Sequence, residues 1–308
     1  MPPETPRLSV VICTHNPRAD YLDRCLDALE AQTLPREQWE LLVIDNACGE
    51  PLAPRLDLAW HPGARMVREE TLGLTPARLR GIQEAAGPLL VFVDDDNVLD
   101  TDYLEVALQV AAEKPFLGSW SGNCEPAFDT IPPPWLRRYW GNLALRQVDR
   151  DQWSNQPRHP DTLPCGAGLC VRAVVAQHYL MLNRTGQRSF QLDRTGKSLI
   201  SGGDQDLAAC ACDLGYGVGV IAALHLTHLI PAGRLTLDYQ ARLAEGIYFS
   251  AVILASLRGS EQELREFRVR WTHVARAMLA RGPHRRIQLA SLTGRRRGLA
   301  YIRQAVRA

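Results

Sequence analysis

The sequence predicts an α/β protein whose mostly parallel sheet is sandwiched by helices and followed by a helical C-terminal extension. Apolar runs at 8–13, 40–44 and 89–93 contain almost no polar side chain, which is typical of strands buried on both faces of a parallel sheet. Segments with helical spacing alternate with these runs, as in βαβ units. Because ligands of such sheets bind beyond the carboxyl ends of the strands, a functional site is expected there.

Strand and helix patterns follow one another along the chain. The strand patterns are LSVVIC (8–13), ELLVI (40–44), a weaker RMV (65–67), LLVFV (89–93), a turn leading into a strand at 163–172, and 218–226. Helical spacing covers 21–31 and 75–86, and the segment 201–206 introduces a further helix that runs to about Asp213. Amphipathic helices with breaks at Gly282-Pro283 and Gly294 follow from Leu237. We therefore expect a sheet domain at 1–235 and a helical extension at 236–308.

Composition narrows the class of protein. Of the 308 residues 46% are apolar and 22% charged, an ordinary globular composition that excludes disordered and fibrous classes. The longest mainly apolar stretch, 246–257, has 12 residues, fewer than the about 18 that a membrane-spanning helix needs.

The eight cysteines form no CxxC pair, which favours reduced thiols over a zinc site. With no signal-peptide pattern at the N-terminus, a cytoplasmic location is expected.

The net charge of +1 is unevenly distributed. Residues 258–308 contain 13 arginines and three glutamates, a local charge of +10 that leaves −9 for the first 257 residues. A basic tail on an acidic body indicates an anionic neighbour, such as a lipid surface or nucleic acid. A solvated helical face remains an equal alternative.

Carboxylates follow two of the predicted elements. Asp94, Asp95 and Asp96 come directly after LLVFV, and adjacent carboxylates repel one another unless a cation neutralises them. Their oxygens suit Mg²⁺ or Mn²⁺, whereas a helix-capping turn would need only one aspartate.

Asp204 and Asp206 follow Gly202-Gly203. A carboxylate at this position can act as a general base or simply cap the helix. His228 stands near a predicted strand end, where a structural role is the alternative.

Five segments, taken together, resemble family 2 glycosyltransferases of the GT-A fold. They occur in the family's order between residues 9 and 220: SVVICTHN (9–16), LLVIDNA (41–47), LGLTPARLRGI (72–82), LLVFVDDDNVLDTDYL (89–104) and SGGDQDLAACACDLGYGVGV (201–220). The resemblance implies a GT-A fold and transfer of a sugar from a nucleotide-diphosphate sugar donor, with Mn²⁺ or Mg²⁺ on the diphosphate.

The resemblance also assigns roles by position. It implies a base in Asp204, with Asp206 as a second acid nearby, and metal ligands in Asp96 and His228. The nucleotide-sugar-binding residues that it implies are Thr14, Asn16, Asp45, Asn46, Arg78, Asp94 and Asp95. The sequence departs from the family pattern at His15, where an aromatic residue is common, at Asn46, where a second acid is common, and at Gly203, which replaces the usual glutamate.

Acceptor recognition is expected within 118–235, and donor binding within 1–117. Four of the seven tryptophans lie close together, at Trp120, Trp135, Trp140 and Trp153. Trp120 and Trp135, with Gly202 and Gly203, are the predicted acceptor contacts, although packing is an equal alternative for the tryptophans. A basic segment containing Arg184, Arg188, Arg194 and Lys197 is expected to close over the donor.

The expected acceptor is a saccharide or a lipid-linked saccharide. Residues 258–308 are candidates for peripheral contact with an anionic membrane at the inner face of the cell, and a homodimer remains an alternative. Nucleic acid is not an expected partner.

A nucleotidyltransferase is the nearest alternative function. Such an enzyme usually has a Gly-rich, Lys-containing loop after its first strand, and the segment THNPRADYL does not supply one. An NAD-dependent oxidoreductase would need a GxGxxG motif after the first strand. A non-catalytic saccharide-binding relative also stays open.

Overall fold

The computed structural model describes residues 5–157, 159, 161–188, 190, 192 and 199–305. Its strands are β1 (Leu8–Thr14), β2 (Trp39–Asn46), β3 (Ala64–Glu69), β4 (Leu89–Val93), β5 (Asn97–Leu99), β6 (Leu117–Phe128), β7 (Gln152–Ser154), β8 (Leu169–Arg172) and β9 (Gly217–Ile230). Its α-helices are α1 (Ala19–Glu30), α2 (Leu74–Glu84), α3 (Tyr103–Glu113), α4 (Ala173–Arg184), α5 (Gly203–Asp213), α6 (Leu237–Leu257), α7 (Glu261–Glu266), α8 (Trp271–Leu279) and α9 (Gly282–Ala305).

The strands form one sheet in the order β3-β2-β1-β4-β8-β6-β9-β5, with β7 paired to β9. β1 runs parallel to β2 and β4, and β2 runs parallel to β3. The predicted α/β fold class is therefore confirmed, and the carboxyl ends of these four strands lie at one edge of the sheet. Beyond β4 the pairing changes, because β8 is antiparallel to both β4 and β6.

The core lies between this sheet and its helices. Val11, Leu42 and Phe92 from the central strands pack with side chains of α4 and α5 such as Tyr179 and Leu207. Helix α2 approaches β1 closely at Gly81, because a Cβ atom there would collide with the Val11 side chain. This close approach fixes α2, and with it Arg78, against the functional edge of the sheet.

The chain divides into two compact units. One contains the sheet and the described parts of 1–127, 144–184 and 204–229; the other contains the described parts of 128–143, 185–203 and 230–308. Helices α6 to α9 lie in the second unit and confirm the predicted helical extension. The assignment of donor binding to 1–117 and acceptor binding to 118–235 stays a prediction.

One predicted helix break in the extension is wrong. The break at Gly282 is present, since α8 ends at Leu279 and α9 begins at Gly282. Helix α9 continues through Gly294, however, where a Cβ atom would collide with the Glu245 carbonyl of α6. Glycine serves there as a close-packing residue between two helices. No helix in the described part of the chain is long and apolar enough to cross a membrane.

Candidate active site

The aspartate run after β4 meets β9 through the short strand β5. Asn97 of β5 pairs with His228 of β9, and the Leu229 N–H donates to the Asp96 carbonyl at 2.8 Å. The Asp96 carboxylate accepts a hydrogen bond from Asn97 Nδ2 at 3.1 Å and lies 3.4 Å from His228 Nε2. Backbone pairing therefore brings together the two predicted metal ligands, Asp96 and His228, which are distant in sequence.

The side chains of Asp96 and His228 suit a divalent cation that is also coordinated by a bound ligand. Among the residues that the structure describes, no cluster of three or more His, Cys, Asp or Glu side chains is arranged to hold a metal on its own. A carboxylate and an imidazole are suitable ligands for Mn²⁺, and Mg²⁺ is commonly held by one or two carboxylates together with substrate phosphates and water. Asp96 and His228 fit such an ion, and metal binding stays a prediction.

Asp94 experiences the combined negative charge of the site. Burial and the neighbouring Asp96 carboxylate raise the pKa of Asp94, while the positive charge of Arg78 acts in the opposite direction. Asp204 contributes further repulsion. The predicted aspartates are thus close enough to interact electrostatically, and a cation at this point would relieve the repulsion.

Arg78 of α2 is the buried positive charge of the site, with 4% of its surface exposed. Burial alone would lower the pKa of Arg78, but the negative charges of Asp204 and Asp94 outweigh this effect and raise it. Its guanidinium forms neither a hydrogen bond nor an ion pair with any other residue in the described ranges. A buried guanidinium whose donors are not used by the protein favours an anionic ligand.

Asp204 lies in the first turn of α5, where the Gly166 backbone orients it. The Gly166 N–H donates to Asp204 Oδ2 at 2.7 Å. A Cβ atom at residue 166 would lie 3.0 Å from Arg78 Nη2 and 3.1 Å from Asp204 Oδ2. Within the described chain Oδ1 has no hydrogen-bond partner, so this oxygen remains available to accept a proton.

Asp206, the predicted second acid, lies in the first turn of α5 together with Asp204. Its side chain is buried, with 3% of its surface exposed. Residues two apart on a helix point in different directions, so the two carboxylates leave α5 at different angles. The role of Asp206 as a second acid stays a prediction.

The ends of β1 and β2 carry polar side chains that also organise the loops around them. Thr14 donates a hydrogen bond to Asp95, which ties β1 to the aspartate run. Asn46 accepts from the Gly73 N–H at 2.9 Å and donates to the Thr71 carbonyl at 2.7 Å. It thereby fixes the chain that leads into α2 and Arg78.

Asp45 orders the turn that follows β2. Its carboxylate accepts from the Cys48 and Leu52 N–H groups at 3.1 and 3.0 Å, and from Arg68 at 2.8 Å. Burial alone would raise the pKa of Asp45, but these hydrogen bonds outweigh it and lower the pKa. A direct contact of Asp45 with a nucleotide stays a prediction.

A cleft opens between the loops that follow β1 and β2. It has a volume of about 310 Å³ and its walls include Asn16, Cys48, Leu52 and Arg55. Asn16 accepts from the Gly49 N–H at 2.9 Å and joins the two loops. The predicted ligand residue Asn16 thus lines an open cleft.

The predicted acceptor residues are dispersed. Trp120 is fully buried in β6, so its ring has no surface on which a sugar can stack, and the acceptor prediction for Trp120 is wrong. Trp135, Gly202 and Gly203 belong to the second unit, and their acceptor role stays a prediction. Of the predicted basic segment, Arg194 and Lys197 lie outside the described residues.

Three residues at the site are absent from the sequence predictions. They are Gly166, which orients Asp204, Asn97, which holds Asp96, and Arg68, which holds Asp45. Of these three residues only Gly166 has a signal in the sequence, because it belongs to the glycine-rich run CGAG at 165–168. Asn97 and Arg68 act through tertiary contacts, which the sequence does not reveal.

The mixed sheet with its flanking helices has the GT-A fold. The crystal structure of S. aureus TarS shares this fold, with a TM-score of 0.53 and 15% identity over 97% of this chain and 92% of that chain. A structure of TarS in complex with UDP matches with a TM-score of 0.51 and 14% identity. Residues 9–166 match the model of glycosyl transferase family 2, which is more than half of the chain. The protein belongs to this family, and the resemblance seen in the sequence is confirmed.

Relatives of known sequence agree with this assignment. The chain is 31% identical to glycosyltransferase AglE of Haloferax volcanii over 103 residues, 32% of this chain and 34% of that protein. It is 30% identical to validoxylamine A glucosyltransferase of Streptomyces hygroscopicus subsp. jinggangensis over 168 residues, 51% of this chain and 38% of that protein. These alignments span little more than a third of each relative's length.

Proposed function

We propose that this protein transfers a sugar from a nucleoside-diphosphate sugar to a hydroxyl of a saccharide or lipid-linked saccharide acceptor, with inversion at the anomeric carbon. The observation that carries the proposal is the arrangement of Arg78, Asp204 and Asp94–Asp96 at the carboxyl edge of the parallel strands. Among the described residues, Arg78 is buried with its donors unused, and Asp204 keeps one oxygen without a hydrogen-bond partner. The family, and the UDP complex of its structural neighbour TarS, support this function.

Donor binding needs positive charge at the diphosphate. Arg78 supplies donors to phosphate oxygens, and its burial strengthens such a charge-assisted hydrogen bond. A divalent ion held by Asp96 and His228 would stabilise the negative charge that develops on the leaving diphosphate. The cleft beside Asn16 and Arg55 is the candidate position for the nucleobase.

Transfer itself requires a base for the acceptor. The acceptor oxygen attacks the anomeric carbon, its proton passes to Asp204 Oδ1, and the bond between that carbon and the diphosphate oxygen breaks with its electron pair on the diphosphate. The Gly166 N–H holds Asp204 Oδ2 at 2.7 Å, so the carboxylate is oriented before the acceptor arrives. A single displacement of this kind inverts the configuration of the sugar.

The test is a transfer assay that follows release of the nucleoside diphosphate, with Asp204→Asn and, as a control, Asp149→Asn. Loss of a positioned base lowers the rate by about 10²–10⁴-fold, whereas donor binding should stay near that of the unmodified protein. Asp149 is exposed and distant in sequence from the site, so its variant should keep full activity. Unchanged turnover in Asp204→Asn would contradict the assignment of the base. Transfer of a nucleotidyl group instead of a sugar would contradict the reaction class.

A further inference from the structure

Helix α8 presents an apolar face to solvent. Trp271, Met278 and Leu279 are 79%, 52% and 81% exposed. Their spacing, i, i+7 and i+8, places them on one side of the helix, while Ala277 on another side is 1% exposed. We call these three side chains the α8 face. Three large apolar side chains together in water are unfavourable and mark an interaction surface.

The α8 face is surrounded by arginines that form no ion pair with the described residues. No acidic residue follows Glu266, although 11 arginines do. Five exposed arginines adjoin or belong to α8, and none of them forms an ion pair with a residue in the described part of the chain: Arg268, Arg270, Arg276, Arg281 and Arg285. By contrast, Arg286 and Arg297 are paired, with Asp238 and Glu245.

Two observations place this charge next to the apolar side chains. The Arg285 guanidinium donates to Met278 Sδ at 3.7 Å, so it lies at the border of the α8 face. Burial and the positive charges of Arg295, Arg270 and Arg276 lower the pKa of His273 within α8. The helix thus combines an apolar face with a strongly positive surrounding potential.

We propose that the α8 face binds the surface of an anionic lipid bilayer. The apolar side chains would enter the boundary between headgroups and acyl chains, and the unpaired arginines would contact lipid phosphates. A second copy of the chain is a poorer occupant, because its own α8 face carries the same positive charge. Nucleic acid would pair with the arginines, but it offers nothing to Leu279 and Met278. The proposal is independent of the proposed transferase function.

The test is sedimentation of the full chain with vesicles of phosphatidylcholine, with and without phosphatidylglycerol. Binding is expected only to the anionic vesicles and should weaken with added salt. Each arginine near the membrane surface increases partitioning of the protein onto anionic vesicles about fivefold. The double variant Arg276→Gln with Arg281→Gln should therefore lower this partitioning about 25-fold. The matched control, Arg24→Gln with Arg150→Gln, removes the same charge from exposed arginines elsewhere and should leave binding almost unchanged.

A second pair of variants tests the apolar part. Trp271→Gln with Leu279→Gln keeps the charge, and it should lower binding to anionic vesicles and make the remaining binding more sensitive to salt. These positions are exposed, so folding should be unaffected, and circular dichroism checks this. Equal binding to neutral and anionic vesicles, no binding to either, or equal loss in the Arg24 and Arg150 control would overturn the proposal. A dimer that the Trp271 and Leu279 variants dissociate, or tighter binding of RNA that these variants leave unchanged, would overturn it as well.

Discussion

Arg78 and Asp204 both lie against Gly166, so closely that a side chain at this position would have to displace one of them slightly. A Cβ atom on Gly166 would lie 3.0 Å from Arg78 Nη2 and 3.1 Å from Asp204 Oδ2, while the Gly166 N–H donates to that same Oδ2. One glycine therefore lies in close contact with both the buried cation and the proposed base.

Gly166→Ala should consequently impair turnover more than stability. The added methyl group would displace Arg78 or Asp204 by a few tenths of an ångström, and since misplacement by about 1 Å can cost 10²-fold in rate, a loss of about tenfold is expected. Gly141→Ala is the control, because a Cβ atom there meets nothing within 4 Å. Steady-state kinetics and thermal unfolding of both variants measure the effect. Equal activity in the two variants would show that the spacing is not critical.

Replacement of Arg78 should weaken binding of the nucleoside diphosphate. In Arg78→Gln the site loses its buried positive charge, and charge-assisted hydrogen bonds are typically worth enough to lower affinity about 10- to 100-fold. The control is Arg80→Gln, two residues further along α2. It removes a partly exposed ion pair with Glu84 and should change affinity little. Isothermal titration calorimetry distinguishes them. If both variants bind as the unmodified protein does, Arg78 is not at the diphosphate.

His228 should be needed for the effect of a divalent metal, whereas His225 should not. The two histidines lie three residues apart on β9, but only His228 is within 3.4 Å of an Asp96 oxygen. His228→Ala should reduce the stabilisation that Mn²⁺ adds in the presence of a nucleoside diphosphate, and His225→Ala should preserve it. Thermal unfolding with Mn²⁺ or EDTA provides the comparison. A full Mn²⁺ response in His228→Ala would remove His228 from the metal site.

Acid should destabilise the sheet domain through His61. Burial and the nearby Arg36 lower the pKa of His61 from 6.5 to about 4, and its Nδ1 accepts from the Gly63 N–H at 3.1 Å. The unfolded state therefore binds more protons between these two pH values, and the free energy of unfolding falls as pH falls through that window. The loss is on the order of 3 kcal/mol.

Denaturant unfolding between pH 7 and 4 measures this loss. His61→Phe keeps an aromatic ring against Trp39, which lies 4.1 Å from the imidazole between ring centroids, but it cannot titrate. The variant should be less stable at neutral pH, because the Gly63 N–H loses its acceptor, and its stability should depend less on pH. The same slope in both proteins would show that other groups cause the acid sensitivity.

Much of the sheet could be predicted because its central strands are nearly continuous apolar runs. Asp94–Asp96 and Thr14 could be found because they directly follow such runs, and parallel pairing brings strand ends together. β6 is harder to predict, because its core-facing sequence SWSGN is rich in small polar residues that pack closely. Gly122, for example, leaves no room for a side chain beside Leu224. The acceptor prediction for Trp120 is wrong because composition does not distinguish an exposed tryptophan from a buried one.

The most direct measurement for the central claim is thermal unfolding with UDP, GDP, CDP, dTDP and ADP, each with Mn²⁺, Mg²⁺ or EDTA. A ligand that binds only the native state stabilises it, by about 2.7 kcal/mol at a hundred times its Kd. The account predicts that one nucleotide raises the Tm in the presence of metal, and that Arg78→Gln abolishes most of this shift. A folded protein whose Tm no nucleotide changes, or a shift that Arg78→Gln leaves intact, would contradict it.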